Sequence, residues 1–92
     1  MKIIAVCGLG MGSSMMLKMS IEDVLNEEKI KADLESVDIG SAKGMSADIY
    51  ILSKDLERNT KEFTGEVIVI NNLTDTDEIK EKLLKSIDNV KQ

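Results

Sequence analysis

One thiol and two serine hydroxyls fall close together near the amino terminus, in the run Cys7-Gly8-Leu9-Gly10-Met11-Gly12-Ser13-Ser14. Glycines at alternate positions let a backbone turn its N–H groups inward with no side chain in the way. Ser13 and Ser14 are placed to open a helix, where free N–H groups and the helix dipole favour an anion. Their hydroxyls add possible donors to phosphate oxygens. The same field favours a thiolate, so the thiol of Cys7 is expected to have a lowered pKa and to act as a nucleophile. The chemistry implied is capture of a phosphoryl group on sulfur, with Gly8, Leu9, Gly10, Met11, Gly12, Ser13 and Ser14 as the phosphate-binding loop.

Related loops are excluded by single residues. A Walker A loop needs a lysine after its second glycine, and serines follow here. A dinucleotide fingerprint needs G-x-G-x-x-G, and Ser13 occupies the last glycine position. A C-x5-R phosphatase needs arginine where Ser13 stands, and its D-P acid is impossible in a chain without proline. An arsenate reductase would need further cysteines. The loop can hold a phosphoryl group but lacks an evident means of hydrolysing it, which suits a carrier. The plainer alternative is a small buried cysteine beside an ordinary glycine turn.

Composition narrows the field further. The 92 residues hold 17 acids against 12 bases, no His, no Pro and one Cys. A net charge of −5 with only Tyr50 and Phe63 as aromatics argues against nucleic acid and anionic membrane surfaces, and no apolar stretch is long enough for insertion into a bilayer. Without His there is no imidazole base, no Ser-His-Asp triad and no phosphohistidine on this chain. One Cys and no His also disfavour a zinc site, and nothing calls for another metal or a cofactor. A lone Cys with no leader-length apolar run fits a reducing cytoplasm.

The elements that must position the loop read as alternating strand and helix. Ile3 to Cys7 is an apolar run expected of a strand buried on both faces. After Gly12-Ser13-Ser14, a helix to about Glu28 places Leu17, Ile21, Val24 and Leu25 on one face. Asp33 to Val37 is a second strand, followed by a loop Gly40-Ser41-Ala42-Lys43-Gly44. Ala47 to Leu52 is a third, with Ser53 as N-cap of a helix from Lys54 to about Lys61. Val67 to Ile70 is a fourth. Asp75 to Glu78 cap a last helix whose inner face is Ile79, Leu83, Ile87 and Val90. Right-handed crossovers then give a single α/β domain over residues 1–92. The expected form is an open four-stranded parallel sheet of order 2-1-3-4, a flavodoxin-like three-layer α/β/α fold. Ligands of such sheets sit beyond the carboxyl ends of the strands, where the loop after strand 1 lies.

The loop and the later Ala47-Asp48-Ile49 strand with Ser53-Lys54-Asp55 resemble the IIB components of the bacterial phosphoenolpyruvate-dependent sugar phosphotransferase system (PTS). The resemblance is closest to the ascorbate-type branch. It implies a nucleophile at Cys7 and a phosphate loop from Gly8 to Ser14, with Leu9 standing where related loops often carry a polar residue. It implies a phosphohistidine donor on a separate IIA protein, and a sugar acceptor bound in the membrane IIC permease. A non-enzymatic sensing module of the same fold, carrying or binding phosphate at Cys7, is the alternative.

Two further features are legible. Met11, Met15 and Met19 lie opposite Leu17 on the first helix, as a docking patch or as gap-fillers beneath loops. Lys43 lies at the ligand-bearing edge, where it either offsets phosphate charge or is simply solvated.

Overall fold

The structure, a computed structural model, describes residues 1–7, 11–63, 65–72 and 75–91. Four parallel strands, β1 (Lys2–Cys7), β2 (Asp33–Asp38), β3 (Ile49–Ser53) and β4 (Glu66–Ile70), form one sheet in the order β2-β1-β3-β4. This is the expected order, and it puts β1 inside the sheet. The strand alternation sorts the core into two layers. Ile3 and Ala5 of β1 join Ile49, Ile51, Ile68 and Ile70 under α1 (Met11–Glu27) and α3 (Thr76–Lys91). Ile4 and Val6 face the other way, with Tyr50, Leu52, Ala42 and Leu56.

Helix α1 holds its place through Leu17, Ile21, Val24 and Leu25, all nearly inaccessible. Helix α3 does so through Ile79, Leu83 and Ile87, with Val90 partly buried. Lys80 bridges the two helices, its Nζ lying 3.3 Å from Glu27 and 3.6 Å from Glu28. The Glu27 hydrogen bond, with the charges of Glu27 and Glu28, raises the Lys80 pKa.

Three local expectations are corrected. Helix α1 begins at Met11, two residues before the Ser13 and Ser14 expected to open it, so Gly12 also lies in its first turn. The segment read as a loop after β2 contains a one-turn helix, α2 (Ile39–Ala42). Asp38 caps it by accepting from the Ser41 N–H at 3.3 Å, and Ala42 buries against the second core layer.

The helix expected from Lys54 is a 3₁₀ helix, Lys54–Glu62. Within it Leu56 is the one apolar side chain, so there is no 3.6-residue stripe to hold an α-helix. Ser53 precedes it without capping it. Its hydroxyl donates instead to the Asp55 carboxylate.

Candidate active site

A parallel sheet brings the carboxyl ends of all its strands to one edge. Cys7, Asp38, Ser53 and Ile70 are the last residues of β1, β2, β3 and β4, and each of the four helices starts from that edge. The chain leaves β1 through α1 toward β2, then crosses back past β1 through α2 to reach β3. Cys7 therefore ends the strand at which the order reverses, where open α/β sheets hold their ligands.

Three residues separate Cys7 from the start of α1. Gly8, Leu9 and Gly10 lie outside the described residues, as do the side chains of Cys7, Met11, Gly12, Ser13 and Ser14. What the backbone fixes is the register and the helix start. Cys7 pairs with Asp38 across β1 and β2. The first-turn N–H groups of Met11, Gly12 and Ser13 precede the first intrahelical bonds, so they face the strand end without a helical acceptor. The positive end of the α1 dipole falls at the same place.

The neighbouring strand ends are held by polar contacts that the sequence reading did not anticipate. Asp38 is exposed, yet its carboxyl is held below the usual range, first by the Ser41 hydroxyl and then by the Ser41 N–H. Its charge is thus engaged by α2. At the end of β4, Glu78 reaches back from the first turn of α3. It accepts from the Asn71 N–H at 2.9 Å, the Asn71 Nδ2 at 3.0 Å and the Asn72 N–H at 3.0 Å.

Lys82 completes that knot. Its Nζ lies 2.7 Å from Glu78 and donates to the Val69 carbonyl at 2.7 Å. The Lys82 hydrogen bond, followed by the Asn71 N–H, pulls the Glu78 pKa down to about 2. Asp75 caps α3 as expected, its Oδ1 accepting from the Glu78 N–H at 3.1 Å. The Asp/Glu spacing was visible in the sequence, but the backward reach of Glu78 to Asn71 was not.

Lys43 is paired with Glu62 at 3.2 Å, tying the end of α2 to the end of the 3₁₀ helix. That contact accounts for it without a phosphate. Met15 and Met19 are exposed, as the wheel predicted, and Met16 joins them. An open groove of about 650 Å³ between Met1, Leu25, Asn26, Ile30 and Leu34 lies at the opposite edge of the sheet, away from Cys7. Among the described residues no cluster of three or more acids or cysteines could hold a metal ion. No helix among them is long and apolar enough to cross a membrane.

Residues 2–85 match the family described as PTS system, Lactose/Cellobiose specific IIB subunit. The chain belongs to that family. As a IIB component it is a phosphotransferase, a phosphoryl-transfer part of the sugar phosphotransferase system that works with IIA and IIC components. It is 42% identical over 89 residues to the ascorbate-specific PTS EIIB component of Mycoplasma pneumoniae, covering 90% of each chain. It is 34% identical over 90 residues to the ascorbate-specific EIIB component of Shigella dysenteriae serotype 1, covering 94% of this chain and 88% of that one. The lactose-specific IIB domain structure from Streptococcus pneumoniae shares the fold. It superposes with a TM-score of 0.63 at 17% identity, over 98% of this IIB chain and 93% of the other.

Proposed function

We propose that residues 1–92 act as one cytoplasmic phosphocarrier domain of an ascorbate-type PTS, with Cys7 as the covalent acceptor. The observation that carries this reading is the place of Cys7. It ends the inner strand at the reversal of strand order, one short connection before the amides that open α1. The names of the relatives point to ascorbate as the sugar-derived acceptor.

The transfer has two balanced steps. The Cys7 thiolate attacks the phosphorus of a IIA phosphohistidine; an S–P bond forms, the N–P bond breaks, and the imidazole leaves after taking a proton. The acceptor hydroxyl, held by IIC, then attacks the same phosphorus. An O–P bond forms, the S–P bond breaks, the thiolate returns, and the hydroxyl proton goes to solvent, balancing the one the imidazole took from solvent in the first step. Gly8, Leu9, Gly10, Met11, Gly12, Ser13 and Ser14 supply N–H groups toward the phosphoryl oxygens in both steps, with the hydroxyls of Ser13 and Ser14 as further donors. Such donors stabilise the charge on equatorial oxygens while donor and leaving group stay in line. A group that only passes through needs no activated water, consistent with a chain lacking an imidazole base.

The test is intact mass after incubation with phosphoenolpyruvate, the general phosphotransferase proteins and a IIA protein, beside the Cys7→Ser variant. One phosphoryl group on the wild type and none on the variant is the expected result. A folded wild type that gains no mass from IIA proteins of the ascorbate and lactose classes would overturn the assignment.

A further inference from the structure

The two edges of the sheet differ in what keeps them from pairing with another strand. β2 carries Asp33, Glu35 and Asp38 in six residues, so a second β2 laid beside it would meet like charge. β4 reads Glu66-Val67-Ile68-Val69-Ile70, four β-branched apolar residues behind a single acid. Such a run on an open edge is a template for strand addition.

The backbone shows which groups this edge offers. The Glu66 N–H donates to the Asp48 carbonyl on the β3 side, at 3.1 Å. Successive residues of a strand direct their N–H and C=O groups to opposite sides, so Ile68 and Ile70 follow Glu66 toward β3. Val67 and Val69 direct theirs outward. The Lys82 ammonium agrees with this, since it crosses from α3 to donate to the Val69 carbonyl at 2.7 Å. Glu78, one helical turn back, holds the same ammonium at 2.7 Å. A groove of about 370 Å³ runs along the edge, lined by Val67, Val69, Lys82, Lys85, Ser86 and Asn89.

We propose that Lys82 guards the open edge of β4 against pairing with a second copy of this chain. An antiparallel pairing centred on Ile68 sets Val67 of each copy opposite Val69 of the other. Both residues face outward, so each such pair can exchange two N–H···O bonds. Half of these bonds need a Val69 carbonyl as acceptor, and those are the carbonyls that Lys82 holds. A pairing copy must displace two ammonium groups, each already fixed by Glu78, or leave half of its ladder unmade. The run itself does not oppose the match, because Glu66 comes opposite Ile70 and not opposite another acid. That self-complementarity selects a second copy over a foreign strand.

The test compares self-association of wild type, Lys82→Ala, Lys82→Met and Lys82→Arg by sedimentation and NMR diffusion. Concentrations run from about 10 µM to about 1 mM, at about 0.15 M salt to screen the net charge of −5. Wild type and Lys82→Arg, which keeps donors for the Val69 carbonyl, should stay monomeric. Lys82→Ala and Lys82→Met should each dimerise at least about tenfold more tightly, the change expected when two backbone hydrogen bonds become available. Val69→Pro removes an outward N–H and spares the β3 ladder, so adding it to Lys82→Ala should return the monomer. The Val67 and Val69 amides should exchange more slowly as Lys82→Ala is concentrated, and not in wild type. Either of the alanine and methionine variants decides the matter if the other fails to fold. A folded variant that stays monomeric would overturn the proposal, as would a wild type that already pairs through β4 or an arginine variant that dimerises like alanine. Dimers that survive Val69→Pro, or that leave the Val67 amide unprotected, form elsewhere on the molecule and overturn it too.

Discussion

Protonating Glu78 should loosen the β4–α3 connection, and the structure gives the size of the effect. The Glu78 side chain is 14% exposed, covered by its own hydrogen-bond partners at the sheet edge rather than by depth. Its pKa falls from 4.5 to about 2, chiefly through Lys82 and the Asn71 N–H. At about 1.4 kcal/mol per pKa unit the shift corresponds to at most about 3 kcal/mol. Solvent reaches this edge, and screening reduces the figure to roughly 1–2 kcal/mol. The sign follows from a folded pKa below the unfolded one. The stabilisation is complete above pH 4.5 and is lost as the pH falls from there toward 2. Glu78→Gln removes the titration while keeping an acceptor for Asn71. Urea unfolding of both proteins at pH 7 and pH 3 should show wild type losing about 1 kcal/mol more than the variant, since at pH 3 only a little over half of the stabilisation has gone. Equal losses in the two proteins would refute the argument, because the remaining carboxylates, Asp38 among them, titrate in both.

Two positions at the β3–β4 contact make predictions of a different kind. A Cβ on Gly65 would lie 2.6 Å from the Ala47 carbonyl oxygen and 2.9 Å from that of Asp48, so Gly65→Ala must push the start of β4 away from β3. We expect a loss of about 1–3 kcal/mol, read as a Tm lower by several degrees or more, with an unchanged Tm as the contrary result. Tyr50→Phe keeps the stacking on Phe63, whose ring centre lies 4.6 Å away, but removes the hydroxyl that accepts from Ala47 N at 3.0 Å and donates to the Met45 carbonyl at 2.8 Å. Leaving both backbone groups unpaired should cost about 1–3 kcal/mol in denaturant unfolding. A cost below about half a kcal/mol would mean that water replaces the hydroxyl.

The parts of the fold legible from sequence were those written in apolar periodicity. Ile3 to Cys7 read as a strand buried on both faces, Val67 to Ile70 as a β-branched strand, and Leu17, Ile21, Val24 and Leu25 fixed the inner face of α1. The strand order followed from the handedness of the crossovers. Elements held by polar contacts were misread. Helix α2 depends on Asp38 bonding three residues ahead, and the 3₁₀ helix depends on a single anchor at Leu56. Neither writes a repeating pattern. The start of α1 was placed late because Gly12, Ser13 and Ser14 have weak helix propensity, and the apolar stripe begins only at Leu17. Of the site, the edge at which Cys7 ends β1 was legible. The Glu78 knot was not, since a carboxylate at a helix start reads as a cap whichever way it reaches.

The two kinds of element meet at the working edge. Cys7 ends a strand whose preceding residues are fully buried from Ile3 to Val6, anchored from both sides of the sheet. That strand cannot shift without disturbing both core layers, so it fixes where Cys7, the proposed phosphoryl acceptor, leaves the sheet. The strand ends around it are secured more lightly, by Asp38 on α2, Ser53 on Asp55 and Glu78 on Asn71. Polar contacts at the sheet edge open at lower free energy than the core does. A carrier must fit two partners in turn around one reacting atom. A rigid strand end ringed by locally adjustable connections meets that requirement, because the reacting group stays fixed while the rim adapts. Amide hydrogen exchange should therefore separate the two: Ile4 to Val6 exchanging only through global unfolding, Ser41 and Asn72 through local opening. Equal protection along β1 and at these connections would show a uniformly rigid edge and would refute the division.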